Sequence, residues 1–164
     1  MPIIKAAVAH TFGQPLTVQD VHLSAPKHGE VEVTLEACAV CYSDITYIDG
    51  GWGGSLPAVY GHEAAGHITA TGAGVTALNQ GDPVVVTLIR SCGTCPSCCT
   101  GRPAGCETPY DGDHGPLKML DGSKLHQAMA SGAFAERVVV AQTQVVKIAD
   151  DIPMDVASLI ACGV

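Results

Sequence analysis

Basic residues are scarce in this 164-residue chain: eight Lys and Arg stand against sixteen Asp and Glu, for a net charge of -8. A surface of that sign repels phosphate backbones and argues against nucleic-acid or anionic-membrane partners. Long apolar runs are missing too, so no segment reads as a bilayer span. The start, Met1-Pro2-Ile3-Ile4-Lys5, lacks the charged region and long apolar run of an export signal. No internal repeat is present. What the chain does have is 47% hydrophobic residues, enough for one full-sized core and too little for two. It also has eight cysteines. They could frame a disulfide scaffold, but without an export signal, and with half of them clustered at metal spacing, a reducing, cytoplasmic compartment fits better.

That cluster is Cys92, Cys95, Cys98 and Cys106, spaced C-x2-C-x2-C-x7-C. So compact a thiolate quartet reads as a closed tetrahedral zinc site, with Gly93, Pro96, Gly101 and Pro103 letting a loop wrap the ion. With every ligand supplied by protein, no position remains for a substrate. Cys99 is a fifth thiol beside it and reads as a spare. Cys38 and Cys41 form C-x-x-C, but the helix start of a redox motif is absent, so Cys38 reads as a buried thiol.

Short alternating runs dominate elsewhere. Val31, Val33 and Leu35 fall on one face of Glu30 to Glu36, with Glu32, Thr34 and Glu36 on the other, as in a half-buried strand. Further strands are expected at 6–10, 16–21, 66–71, 84–89 and 135–140. Many short strands with turn residues between them, and little helix, predict a mainly β barrel or sandwich. Short helices are expected at 41–49 and 155–160, the second capped by Asp155 and ending near Gly163. The stretch 108–131 has no apolar period and reads as a long surface excursion. Gly72-Ala73-Gly74-Val75-Thr76-Ala77 fits the loose dinucleotide pattern, but Asn79, Gly81 and Pro83 follow where a helix should open, so it reads as a strand turn.

Three more segments carry metal-binding side chains: Cys41-Tyr42-Ser43-Asp44, Gly61-His62-Glu63-Ala64-Ala65-Gly66 and Ala161-Cys162-Gly163-Val164. By spacing alone each is weak, since a lone Cys is usually a small buried hydrophobe and a lone His a satisfied core or surface residue. Taken in order with the quartet, however, they resemble the catalytic domain of zinc-dependent medium-chain alcohol dehydrogenases, and the resemblance covers the whole chain. It implies a GroES-like β-barrel over 1–150 with a zinc lobe near 90–108, and over 151–164 the start of a helical connection to a Rossmann domain.

The resemblance further implies two zincs per chain. One is structural, on the quartet. The other is catalytic, held by Cys41, His62 and Cys162, with a fourth position left for water or substrate. It implies reversible NAD- or NADP-linked oxidation of a small alcohol to an aldehyde or ketone, and a possible homo-oligomer in the full-length form. Ser43 takes the place of the relay hydroxyl, although a helix-capping serine is the bland alternative. Asp44 takes the place of the carboxylate that orients the liganding His, and Glu63 that of the acid beside the zinc, or a structural carboxylate. Tyr42 stands where many members carry a His or Arg that meets the cofactor pyrophosphate, which weakens that cofactor contact. Thr46 replaces the His that ends some members' proton relay. Leu88 and Trp52 stand near the substrate pocket. The glycine-rich nucleotide fold does not occur within these residues, so NAD or NADP is expected only with that further domain, and no turnover is expected from this chain alone. The competing reading is a non-catalytic zinc-stabilised barrel, a remnant or an interaction module.

Overall fold

The computed structural model describes residues 1–163; Val164, the last residue of the proposed third-ligand segment, lies outside the described residues. In chain order the elements are β1 (Ile3–Ala9), β2 (Thr17–Leu23), β3 (Glu30–Ala39), α1 (Tyr42–Ile48), β4 (Ala58–Val59), β5 (Glu63–Thr71), β6 (Pro83–Val86), α2 (Pro96–Cys99), β7 (Leu117–Met119), β8 (His126–Gln127), β9 (Arg137–Ala141), β10 (Val145–Lys147) and α3 (Met154–Leu159). They form two five-stranded sheets, ordered β7-β2-β1-β4-β8 and β10-β6-β5-β3-β9. This is the predominantly β, GroES-like architecture that the sequence led one to expect.

The sheets are curled into a nearly closed barrel by residues 134–141. Ala7 N–H donates to the Phe134 carbonyl at 2.8 Å and Glu136 N–H to the Lys5 carbonyl at 3.0 Å, holding this segment on β1 before it joins β3 as β9. The run Arg137-Val138-Val139-Val140 breaks apolar alternation because β9 is apolar on both faces. Val138 and Val140 pack with Val31, Val33 and Ile68, while Val139 packs with Val8, Val21 and Leu125. β-branched side chains suit such a doubly covered strand.

Several boundaries depart from expectation. The run expected at 84–89 stops at Val86: the Thr87 N–H still reaches the Gln144 carbonyl at 2.8 Å in the β6–β10 register, but the Thr87 carbonyl accepts from the Gln144 side-chain amide at 3.0 Å and the Thr87 hydroxyl from Ile89 N–H at 3.0 Å. Glu32, expected on the solvent face, is buried, with its carboxylate accepting from the Thr69 hydroxyl at 2.7 Å and facing the Arg137 guanidinium at 3.5 Å. The second helix is capped by Pro153, not Asp155. Pro153 has an extended backbone and its carbonyl accepts from Ala157 N–H at 2.9 Å, while Asp155 sits in the first turn.

The stretch 108–131 is a surface excursion only in part: residues 108–111 and 120–124 are exposed, but other parts of it are tied into the barrel. It contributes β7 and β8, and Leu117, Leu125, Gln127, Ala128 and Ser131 are buried. Strands of two or three residues are too short to show a period. The Gly72–Ala77 segment is a turn after β5 with no helix behind it, and a Cβ on Gly72 would stand 1.7 Å from the Lys27 carbonyl oxygen. Among the described residues no helix is long and apolar enough to cross a membrane.

Candidate metal centres

All eight cysteines are free, and among the described residues two groups of side chains with potential ligand atoms converge, each with its donor atoms within 4.8 Å of one another. The first is Cys92, Cys95, Cys98 and Cys106. Cys95 caps α2, with Pro96 at the first helical position, so the chain turns sharply and returns Cys98 toward Cys92, sulfur to sulfur at 4.0 Å. That separation is about twice a disulfide bond. Backbone N–H groups point at the sulfurs: Cys95 and Thr94 donate to Cys92 at 3.2 and 3.4 Å, Cys92 to Cys106 at 3.4 Å, and Glu107 to Cys95 at 3.4 Å. Such donors stabilise thiolate. The Thr108 side chain, the Thr94 amide and hydroxyl and the Cys95 amide hold the Cys92 thiol down to about 5. The Gly93 amide also pulls Cys98 down, but desolvation and the neighbouring Cys95 and Cys106 thiols outweigh it and leave Cys98 up at about 11. Cys99 lies exposed beside the quartet, with its thiol toward the Thr94 carbonyl at 3.5 Å, and is not one of the four.

The second group is Cys41, His62, Glu63 and Cys162. Its position follows from strand pairing. Ala39 at the end of β3 pairs with Glu63 at the start of β5, so Cys41 and His62 emerge at the same end of one antiparallel pair. α3 packs over this pair, with Ala157 against Ala65 and Val85, and delivers Cys162 to the same place. Gly61 makes the approach possible. Its φ of +93° is a left-handed conformation, and a Cβ there would meet Phe134 at 2.6 Å. The Gly61 carbonyl accepts from Ala133 N–H and the Ser131 hydroxyl, both at 2.9 Å.

Asp44 locks the two ligand-bearing segments together. It stands at the third position of α1, fully buried; one oxygen accepts from Cys41 N–H at 3.1 Å, and the other from Gly61 N–H at 3.1 Å and His62 Nδ1 at 3.0 Å. The proton on His62 therefore sits at Nδ1, leaving a lone pair on Nε2. His62 is 1% exposed, yet among the described residues Nε2 has no hydrogen-bond partner; the Glu63 carboxylate is 3.9 Å away. A buried ring nitrogen without a partner, facing two thiols and a carboxylate, is a donor set that fits a tetrahedral divalent cation. Desolvation, then Cys41 and Glu63, raise the Cys162 thiol, an arrangement a cation would relieve.

The remaining sequence candidates are placed as follows. Ser43 lies half-buried in the first turn of α1, beside the second group. Tyr42 is 83% exposed. The Thr46 hydroxyl donates back to the Tyr42 carbonyl at 3.0 Å, within the helix. Cys38 is part-buried, and burial, with the Asp44 charge, pushes its thiol up to about 12. Leu88 lines a pocket of about 320 Å³ with Tyr47, Tyr110, His126 and Met129, and Trp52 packs edge-on against Tyr47 at 4.9 Å. Spacing gave no signal for Ser131, Phe134 or Gly61 as the support of His62, since their contacts are long-range backbone and packing contacts.

Residues 27–150 match the family described as the alcohol dehydrogenase GroES-like domain. The chain is 40% identical to an NDMA-dependent alcohol dehydrogenase of Amycolatopsis methanolica and 41% identical to a putative alcohol dehydrogenase D of Mycobacterium tuberculosis, with 98% and 97% of the chain covered. It spans about half the length of these relatives, 45% of each. Among solved structures, an alcohol dehydrogenase zinc-binding domain protein from Burkholderia ambifaria superposes with a TM-score of 0.91 at 32% identity, covering 99% of this chain and 46% of that one. A benzyl alcohol dehydrogenase from Acinetobacter calcoaceticus does so with a TM-score of 0.86 at 31% identity, covering 99% and 46%.

Proposed function

The chain belongs to the zinc-type alcohol dehydrogenase family, as its N-terminal GroES-like domain, and on that premise we propose that it is the metal-binding part of an NAD- or NADP-linked dehydrogenase of small alcohols. Cys41, His62 and Cys162 hold the catalytic zinc in this reading, and Cys92, Cys95, Cys98 and Cys106 the structural one. The observation that carries it is the unpartnered Nε2 of buried His62, fixed in its tautomer by Asp44 and facing two thiols. When bound at that site, zinc supplies Lewis-acid polarisation of an alcohol hydroxyl or a carbonyl.

The chain's own residues do the rest. Asp44 fixes His62 and the backbone of Cys41, so that the donors are arranged before the metal arrives. Ser43, in the adjoining first turn, is the hydroxyl that takes up the substrate proton. Glu63 balances charge beside the donors, its carboxylate being near enough to join them. Leu88 and Met129 offer apolar walls to the substrate. Residues 151–164 begin the connection to a dinucleotide-binding domain, which supplies the hydride acceptor. The whole protein is then a cytoplasmic enzyme that works on aldehydes or ketones in reverse.

Metal stoichiometry tests the assignment. Zinc per chain, measured by mass spectrometry of the purified protein, should be two, falling to one in Cys41→Ser or His62→Ala and also to one in Cys95→Ser. One zinc in the unaltered chain, unchanged by His62→Ala, would sink the catalytic-site reading and favour a barrel stabilised by its lobe alone.

A further inference from the structure

We propose that the cavity between the cysteine lobe and the barrel is a binding site for a small oxyanion, a carboxylate or phosphate group, with Arg90 as its anchor. The cavity holds about 350 Å³, and Arg90, Ser91, Tyr110 and Gln142 are among the residues lining it. The quartet's Cys92 lines it, but none of Cys41, His62, Glu63 or Cys162 does, so the inference stands apart from the proposed catalytic site.

Arg90 is anomalous in a chain with twice as many acids as bases. Lys5, Arg137 and Lys147 are paired with Asp20, Glu32 and Asp82. Lys27, Arg102, Lys118 and Lys124 are exposed to water. Arg90 is part-buried, enters no ion pair among the described residues, and has its Nη1 buried without a hydrogen-bond partner. Its guanidinium lies over the Tyr110 ring, 5.8 Å from the centroid, which orients it and leaves its N–H edge to find an acceptor elsewhere. A buried cationic donor without an acceptor is costly, and a bidentate oxyanion satisfies both its charge and its geometry.

The rest of the wall is spent. Gln127 donates to the Ser131 and Val139 carbonyls at 2.8 and 3.1 Å and accepts from the Tyr110 hydroxyl. Gln144 donates to the Thr87 and Ala130 carbonyls at 3.0 and 2.9 Å. The Thr143 hydroxyl donates to the Ser91 carbonyl at 3.1 Å. The Cys92 sulfur on this wall already accepts from the Thr94 and Cys95 N–H groups, and the groups left to a ligand are the Arg90 guanidinium, the Ser91 hydroxyl, the Gln142 amide and the His28 imidazole, all able to donate. The acid on this wall, Glu30, has one oxygen accepting from Lys27 N–H at 2.8 Å. Its charge disfavours a multiply charged guest and favours a monoanion. Tyr110, Gln127 and Ala130 form a wall shared with the pocket that contains Leu88.

The test is titration of the purified, zinc-replete chain with acetate and, separately, with inorganic phosphate, at constant ionic strength made up with chloride. The readout is the Arg90 Nε–H resonance, assigned by its loss in Arg90→Gln. A saturable shift is expected, with Kd near or below about 1 mM, and the arm with the tighter Kd identifies the carboxylate or the phosphate as the preferred group. Binding measured by calorimetry should weaken at least about tenfold in Arg90→Gln and stay unchanged in Arg102→Gln. An Arg90 resonance that neither anion moves, as hydration or a Glu30 pairing would give, overturns the proposal. So does equal binding by the unaltered chain and a folded Arg90→Gln. The resonance measurement needs no variant to fold beyond the one used for assignment.

Discussion

Asp44 is the side chain on which the proposed catalytic site depends, and two substitutions at it separate its roles. In Asp44→Ala all of its hydrogen bonds vanish, stranding the N–H groups of Cys41, Gly61 and His62 in a place that is 0% exposed. Each buried unsatisfied donor costs about 1–3 kcal/mol and neighbouring losses do not add fully, so a destabilisation of about 3–5 kcal/mol is expected. For a chain of this length that lowers Tm by about 10 °C. Asp44→Asn is milder and more informative. The amide oxygen can keep the bonds from Gly61 and His62, but the amide nitrogen then faces the Cys41 N–H, donor against donor, for about 1–2 kcal/mol. His62 keeps its tautomer while Cys41 loses its tether.

The assay is urea denaturation together with zinc content and competition for zinc by a chelator. The expected order is wild type, then Asp44→Asn with its second zinc held about 10–100-fold more weakly, then Asp44→Ala with one zinc only. The quartet's zinc stays in all of them. If Asp44→Ala unfolds within about 1 kcal/mol of wild type and still holds two zincs, the bonds drawn to this carboxylate do not support the site and the reasoning fails.

The remaining expectations concern the backbone behind His62 and the protons of the quartet. Gly61→Ala forces an L side chain into a φ of +93° and against Phe134 at 2.6 Å. It should cost about 2–4 kcal/mol by urea denaturation and lower the zinc content of the His62 site; an unchanged stability would show that this turn is slack. For the quartet, the Cys92 thiol, held near 5, is already thiolate at neutral pH, whereas Cys98, near 11, must lose its proton to bind a metal. Zinc uptake by the lobe alone, measured in His62→Ala by calorimetry in two buffers of different ionisation heat, should therefore release fewer protons at neutral pH than the quartet has thiols. In the metal-free chain the Cys92 contribution to stability is complete above its unfolded value of 9.0 and fades as pH falls through about 5, because its folded value is the lower one. Release of one proton for every thiol at neutral pH would contradict this.

How much of this was visible in the residues differs between the two centres for a physical reason. The quartet is local: α2 and the turn after it bring the thiols together without help from the barrel, and none of the residues in α2 is buried. Spacing alone therefore reveals it. Cys41, His62 and Cys162 meet only through the pairing of β3 with β5 and the docking of α3, and spacing carries no trace of that. Family resemblance is what points to them, and to the proposed roles of Asp44 and Glu63. The same division explains the fold. β3 shows its alternation because Val31 and Val33 face the core, while β7 and β8 are too short to show any and read as part of a surface excursion. Asp155 is a good capping residue by type and so attracts the cap of α3 in the sequence, whereas Pro153 takes the position by its extended backbone. Arg90 gives no signal in sequence at all, since its isolation is a property of what surrounds it.

The convergence of Cys41 on His62 also depends on a cancellation within the β3–β5 ladder. The pairing shifts register twice, between Glu32 and Val33 and between Leu35 and Ala37. At the first shift β5 carries the extra residue, Thr69; at the second β3 carries it, Glu36. The offsets are opposite, so Ala39 meets Glu63 in the register in which Val31 meets Thr71. Each bulged residue also uses its side chain to pin the irregularity, Thr69 donating to the Glu32 carboxylate at 2.7 Å and Glu36 meeting His67 Nδ1 at 2.6 Å. With only one bulge, the ligand end of the ladder would be displaced by a residue, and side chains beyond it would change faces. Cys41 would then leave the barrel out of step with His62, and Asp44 could not reach both. The paired bulges allow the sheet to bend into the barrel while returning the ligand-bearing ends to alignment, which makes Thr69 and Glu36 part of the site's construction although neither is among the candidate ligands.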